Sequence, residues 1–114
     1  MSRAALLVLG NRPADVRHIR TNLGYFNASP DPVQITFRVY ATDGRMLGSK
    51  TMNLASFAND QKTLFEIVDS VASSDREQPD LYVTFDATGG LPFVYGAAVY
   101  NSTNDGLYVI PWQY

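Results

Sequence analysis

The sequence has no cysteine among its 114 residues and only one histidine, His18. The absence of cysteine excludes disulfides, thiolate nucleophiles and zinc-finger sites. His18 has no second histidine or cysteine with which to share a metal ion. No serine lies in a G-x-S-x-G turn, so a nucleophile and its base cannot be assembled around His18 either. We therefore predict no catalytic, cofactor-binding or metal-binding residues, and we do not expect an enzyme.

Charge of one sign and long apolar runs are also missing. The formal net charge is −2, and the nine basic residues form no stripe, so a nucleic-acid partner is not expected. No apolar run reaches the roughly 18 residues that a membrane span needs. The early run "AALLVL" is too short for a signal peptide and no A-x-A cleavage site follows it, so it predicts a first β-strand. Length and a hydrophobic content of 46% predict a single globular domain over residues 1–114.

The apolar residues that are present recur mainly with a period of two. In "VQITFRVY" (33–40) and "LYVTFD" (81–86) every second residue is apolar, which predicts strands packed on one side. The segment "PFVYGAAVY" (92–100) is apolar on both faces and predicts a central strand. The apolar faces predict a core of Leu23, Ile35, Phe37, Val39, Leu54, Val83, Phe85, Val99 and Val109.

Turn signals separate these strands. Asp43-Gly44 predicts a tight hairpin between strands 33–41 and 46–54. Asn104-Asp105-Gly106 predicts a second hairpin, between 93–101 and 107–111, and "ATGGLP" (87–92) predicts a third. Oxygen atoms of the Asn104-Asp105-Gly106 region could also serve as calcium ligands, and the sequence leaves that question open.

One segment follows a helical period instead. In "TLFEIVDSVASSD", the residues Leu64, Ile67, Val68 and Val71 fit the i, i+3, i+4, i+7 spacing, which predicts a short helix at about 63–72. About seven strands and one short helix predict an all-β, two-sheet antiparallel β-sandwich.

The aromatic residues suggest a surface role. By strand parity Tyr40, Tyr82, Tyr100 and Tyr108 point away from the predicted core. Exposed aromatic rings on a sheet can stack on sugars or anchor a protein partner. Tyrosine is also common in strands, where cross-strand pairs stabilise a sheet. Both interpretations remain open from the sequence.

The segment "LYVIPWQY" (107–114) ends the sequence with three aromatic residues in eight. Trp112 and Tyr114 are predicted either to fold back over the core or to pack against another copy. The second case would give a weak homodimer or a contact between tandem modules.

The segment "RTNLGYFNASPDPVQITFRVYATDGRMLG" (20–48) resembles the immunoglobulin-like accessory or repeat domain of bacterial secreted and cell-surface proteins. That domain typically reads R-T-[DN]-L, apolar residues, Asn, small residues and an alternating strand that ends in D-G. The likeness extends over roughly residues 5–112. It implies an immunoglobulin-like sandwich, an extracellular or cell-surface location and no catalytic residues. Asn27 is expected to bond backbone groups in the turn before Pro30 and Pro32.

Together these observations predict a non-catalytic interaction, adhesion or spacer module with a protein or glycan partner. Two alternatives remain. One is a carbohydrate-binding module that uses the exposed tyrosines. The other is a peptidase inhibitor, because sandwiches of this kind present loops that can plug a cleft.

Overall fold

The computed structural model describes residues 2–9, 19–76, 80–90, 92–100, 106–109 and 112–113. Within them the chain forms nine strands and one short helix, α1: β1 Ser2–Leu9, β2 Ile19–Phe26, β3 Val33–Ala41, β4 Met46–Leu54, β5 Asn59–Thr63, α1 Leu64–Ile67, β6 Asp80–Thr88, β7 Phe93–Tyr100, β8 Gly106–Val109 and β9 Trp112–Gln113. A five-stranded sheet has the order β4-β3-β6-β1-β9, and a four-stranded sheet has the order β5-β2-β7-β8. All paired strands are antiparallel. The predicted all-β sandwich is confirmed.

The core lies between the two sheets and is centred on Phe37. The Phe37 ring lies 6.2 Å from that of Phe85 in the same sheet and 6.3 Å from that of Tyr25 in the other sheet. Phe37 itself is fully buried. The predicted core is confirmed for its eight members whose side chains are described; the side chain of Val109 lies outside the described residues.

The predicted hairpins have different outcomes. The strands β3 and β4 have the predicted bounds, and Gly44 adopts a positive φ of 91° in the turn between them. The strands β7 and β8 also pair as predicted. The third hairpin is wrong, because β6 and β7 belong to different sheets. Gly89 and Gly90 both have positive φ. Glycines with positive φ occur in connections between sheets as well as in hairpins, so the sequence alone did not distinguish the two.

The helix is shorter than the predicted 63–72, although its apolar pattern is confirmed. Leu64, Ile67, Val68 and Val71 are all buried, but α1 ends at Ile67. A single 3₁₀ turn follows at Ser73–Asp75. The β-branched residues in this segment favour helix only weakly.

Arg76 helps to hold the turn between α1 and the 3₁₀ turn. Its Nε donates to the carbonyl of Val71 at 3.0 Å, and its Nη2 donates to that of Asp69 at 3.1 Å. The guanidinium also lies 5.6 Å from the centre of the Phe65 ring. Bonds from a side chain thus satisfy carbonyls that a longer helix would have used.

The strand β5 was not predicted, because "NDQKT" contains no apolar residue to mark a period of two. It is defined by its pairing with β2, which sets Asp60 opposite Tyr25. With β9 it raises the number of strands above the predicted seven or so.

The strand order differs from that of constant-type immunoglobulin domains, in which the first two strands pair and the sixth and seventh strands share a sheet. The strands β6 and β7 of this chain lie in different sheets. Here β1 pairs with β6, and β2 lies in the other sheet. Among the described residues no helix has the length and apolarity to cross a membrane.

Candidate binding surface

Tyr40 and Tyr82 form a cross-strand pair on the outer face of the five-stranded sheet. They lie opposite each other on β3 and β6, with ring centres 5.0 Å apart and ring planes at 11°. Both residues are half-buried. At this distance two nearly parallel rings overlap, so each covers part of one face of the other.

Polar pairs lie beside the two tyrosines, farther along the same face of the sheet. Arg38 Nη1 donates to Asp86 Oδ2 at 2.6 Å, and the hydroxyls of Thr36 and Thr51 are 2.9 Å apart. Met46 lies opposite Tyr40 on β4 and is 53% exposed. We call this surface the tyrosine face; it comprises Thr36, Arg38, Tyr40, Met46, Thr51, Tyr82 and Asp86.

The other two predicted tyrosines lie on strands of the four-stranded sheet. Tyr100 lies opposite Ile19 and shares the parity of Val94, which is buried. Tyr108 lies on β8, opposite Ala97 of β7. Of the four tyrosines the structure therefore brings together Tyr40 and Tyr82. The side chains of Tyr100 and Tyr108 lie outside the described residues.

Most of the remaining predicted site residues lie outside the part of the chain that the structure describes. The backbone of Trp112 pairs with Ala5 at the edge of the five-stranded sheet. Its side chain, and all of His18, Asn104, Asp105 and Tyr114, lie outside the described residues. The C-terminal self-contact stays a prediction, and the residues on which the calcium question depends lie outside the described part of the chain.

A second aromatic surface covers the outer face of the four-stranded sheet. Phe26 and Phe93 lie opposite each other on β2 and β7, with ring centres 6.4 Å apart and ring planes at 17°. Phe93 is 67% exposed. Tyr95 lies across Gly24, since a Cβ added at Gly24 would overlap Cζ of the Tyr95 ring. A residue without a side chain thus makes room for the tyrosine ring.

Two amide side chains on β5 continue the cross-strand rows that run from Phe93 to Phe26 and from Tyr95 to Gly24. Asn59 lies opposite Phe26, and Gln61 lies opposite Gly24; both amides are exposed. We call this surface the phenylalanine face; it comprises Gly24, Phe26, Asn59, Gln61, Phe93 and Tyr95. It combines exposed apolar rings with groups that both donate and accept hydrogen bonds.

The sequence reasoning missed this face. The prediction of a central strand over residues 92–100 is confirmed, because β7 lies between β2 and β8. That prediction did not include the exposure of Phe93. A usable signal was the shared parity of Phe93 and Tyr95, because two aromatic residues then lie on one face of the strand. Their pairing with Phe26 and Gly24 could not be predicted, because it depends on the register between β2 and β7.

Asn27 joins the ends of the two sheets. Its side-chain Nδ2 donates to the carbonyls of Asp31 at 2.8 Å, Ala55 at 3.1 Å and Leu54 at 3.3 Å. Its Oδ1 accepts the N–H of Ser29 at 3.2 Å. The residue is 1% exposed. The predicted structural role of Asn27 is confirmed, and it also extends to the end of β4.

The loop that Asn27 holds presents another phenylalanine. Phe57 is 57% exposed and has a positive φ of 58°, which bulky residues rarely adopt. Its N–H donates to the carbonyl of Ser29 at 3.3 Å. The two neighbouring loops therefore support each other at this end of the sandwich.

The electrostatics of the described residues are mild. No group of three or more His, Cys, Asp or Glu side chains in the described part of the chain could hold a metal ion. Burial raises the pKa of Tyr25 above its ordinary value; the negative charge of Asp60 raises this pKa further, while Lys62 lowers it. These charges lie at the open edge of the four-stranded sheet, on β5.

Comparison with known proteins gives a fold likeness. No protein-family model matches the sequence, and no curated protein matches it. The crystal structure of Thermotoga maritima 1070 is similar, with a TM-score of 0.62 over 97% of this chain and 92% of that chain. The sequence identity is 7%, so the likeness shows the fold alone.

Proposed function

We propose that this protein is a non-catalytic binding domain of a secreted or cell-surface protein, and that the phenylalanine face is its contact surface. The observation that carries this proposal is the 67% exposure of Phe93 beside Phe26. Clustered exposed apolar side chains commonly mark interaction sites, and aromatic residues supply much of the binding energy there. The secreted or surface location is supported by the sequence resemblance.

The phenylalanine face suits a partner better than the tyrosine face. The rings of Tyr40 and Tyr82 overlap at 5.0 Å, and the neighbouring Arg38 is paired with Asp86. The Phe26 and Phe93 rings overlap less because their centres are 6.4 Å apart. More ring surface is therefore free on the phenylalanine face for a partner to cover.

The test measures binding of labelled protein to cell-envelope fractions of the producing organism. Phe93→Ser should lower the affinity at least about tenfold, the loss expected when one well-buried contact residue is removed. Phe57→Ser is the matched control, because Phe57 is also an exposed phenylalanine but lies on a loop. Unchanged binding of Phe93→Ser would refute the proposed contact surface. Loss of binding in Phe57→Ser instead would favour the loop-presenting inhibitor.

A carbohydrate ligand is the second candidate. The observation that favours it is the placement of the Asn59 and Gln61 amides in the same rows as Phe26 and Tyr95. Sugars present apolar ring faces for stacking, and they present hydroxyls that bond well to amides.

Binding to a panel of polysaccharides tests this candidate. Asn59→Ala and Gln61→Ala should each weaken binding, whereas the control Thr51→Ala on the other sheet should not. A sugar site at the tyrosines would instead be lost in Tyr82→Ala. Absence of binding to every polysaccharide, with envelope binding retained, would leave a protein as the partner.

A further inference from the structure

Two of the edge strands, β4 and β5, lie on opposite sheets and are protected to different degrees. On β4 the Ser70 hydroxyl accepts the N–H of Ser49 at 3.3 Å and donates to the Ser49 carbonyl at 3.1 Å. Gly48 lies against Val71 of the same turn. The turn that contains Ser70 and Val71 therefore covers part of the β4 edge.

The edge of β5 is more open. Four of its five residues, Asn59 to Lys62, are exposed. The N–H of Gln61 donates to Oδ1 of the adjacent Asp60 at 2.8 Å. This N–H therefore points away from β2, toward the free edge, where Asp60 acts as a local substitute for a strand partner.

The sequence of β5 is complementary to itself. If two copies of "NDQKT" pair antiparallel about Gln61, each Asp60 lies opposite Lys62 of the partner subunit, and the two central glutamines lie opposite each other. Within one chain Lys62 Nζ already lies 3.6 Å from Asp60 Oδ2, so both charges project from the same face of the strand. Opposite charges directly across an antiparallel pair stabilise it, and like charges destabilise it.

We propose that β5 pairs with β5 of a second copy about Gln61, which joins the two four-stranded sheets in a two-fold symmetric dimer. In the dimer the N–H of Gln61 donates to the carbonyl of the opposite Gln61 and releases the Asp60 carboxylate, which then faces the partner's Lys62. Charges on an edge strand discourage pairing with unsuitable strands, and here their order admits a copy of itself.

The dimer has a consequence for ligand binding, which rests on the proposed function. A two-fold axis perpendicular to the joined sheet keeps both phenylalanine faces on the same side. The dimer would then present two contact surfaces at once to an extended ligand, and its avidity would exceed that of one copy. The pairing of β5 does not itself depend on that role.

Sedimentation equilibrium of charge variants over a wide concentration range tests the dimer. Lys62→Asp places like charges opposite each other and should weaken dimerisation at least about tenfold, as should Asp60→Lys. The double swap Asp60→Lys with Lys62→Asp restores opposite pairs and should dimerise like the original protein. An equimolar mixture of the two single variants should form a heterodimer. Urea melts check that every variant is folded, which the exposure of both side chains leads us to expect.

Three results would overturn the proposal: an original protein that stays monomeric, single variants that dimerise unchanged, or a mixture that fails to associate. A chain that ends at Ile110 distinguishes this dimer from the predicted C-terminal self-contact. It should still dimerise through β5. If association disappears in that folded truncation, the contact lies at Trp112 and Tyr114, and the β5 proposal is wrong.

Discussion

The outer faces of the two sheets carry aromatic pairs in equivalent cross-strand positions, yet the pairs have different surroundings. Tyr40 and Tyr82 overlap closely and are bordered by the Arg38–Asp86 ion pair. Phe26 and Phe93 are farther apart, and Phe93 projects into solvent. The rings of the first pair are largely covered by each other and by their neighbours in the sheet, whereas the second pair leaves apolar ring surface exposed to solvent. Aromatic content alone therefore does not distinguish the two faces; the partners of each ring do.

The largest loss of stability is expected from truncating a side chain of the core that lies between the two sheets. Phe37→Ala should cost about 3–5 kcal/mol in urea unfolding, because the Phe37 ring is fully buried against Phe85 and Tyr25. Phe93→Ala is the matched control and should cost less than about 1 kcal/mol, since its ring is mostly exposed. A loss below about 1 kcal/mol for Phe37→Ala would contradict the assigned core.

The next largest effect is expected from removing the hydrogen bonds by which Asn27 links the two sheets at one end. Asn27→Ala should cost about 2–3 kcal/mol, because the carbonyls of Asp31, Leu54 and Ala55 lose a buried donor. Asn27→Asp keeps the size but offers the same carbonyls a carboxylate that cannot donate, so it should cost at least as much at neutral pH. Thermal melts of both variants measure this. An Asn27→Asp variant as stable as the original protein would show that these bonds are unimportant.

A smaller effect disturbs the phenylalanine face alone. Gly24→Ala should cost about 1–3 kcal/mol, because the new Cβ overlaps the Tyr95 ring. Adding Tyr95→Ala removes the overlapping atoms, so the double variant should be no less stable than Tyr95→Ala by itself. A double variant in which the two costs simply add would place the clash elsewhere.

The smallest effect belongs to the tyrosine face. The coupling free energy between Arg38 and Asp86 should be about 0.5–1 kcal/mol, because both side chains retain contact with water, 36% and 17% of their surfaces being exposed. A double-mutant cycle with Arg38→Ala and Asp86→Ala measures it, and added salt should reduce it. A coupling that salt leaves unchanged would indicate packing rather than charge.

The fold was predictable where side-chain alternation and turn residues agree. The bounds of β3 and β4 follow from the alternation beginning at Val33 and the turn at Asp43-Gly44. The helical spacing of Leu64, Ile67, Val68 and Val71 was recognised in the sequence. The end of α1 was not predicted, since it depends on the local turn around Val68. The strand β5 carries no period at all and exists through its pairing with β2.

The candidate surface was less predictable than the fold. Parity correctly grouped Tyr40 with Tyr82, because both lie on strands with regular alternation. It could not reveal that Tyr100 belongs to the other sheet, or that Phe93 is exposed. Both facts depend on which strands neighbour each other and on what covers them, and these are long-range properties of the chain.

Hydroxyl-radical footprinting of the free and envelope-bound protein tests the central claim most directly. Among the side chains that the structure describes, Phe93 on one outer face is 67% exposed and Met46 on the other is 53% exposed, and both are reactive. The same sample thus reports on both faces. If the phenylalanine face is the contact surface, binding should protect Phe93 from oxidation and leave Met46 unchanged. Protection of Met46 with an unprotected Phe93 would contradict the account and assign the contact to the tyrosine face.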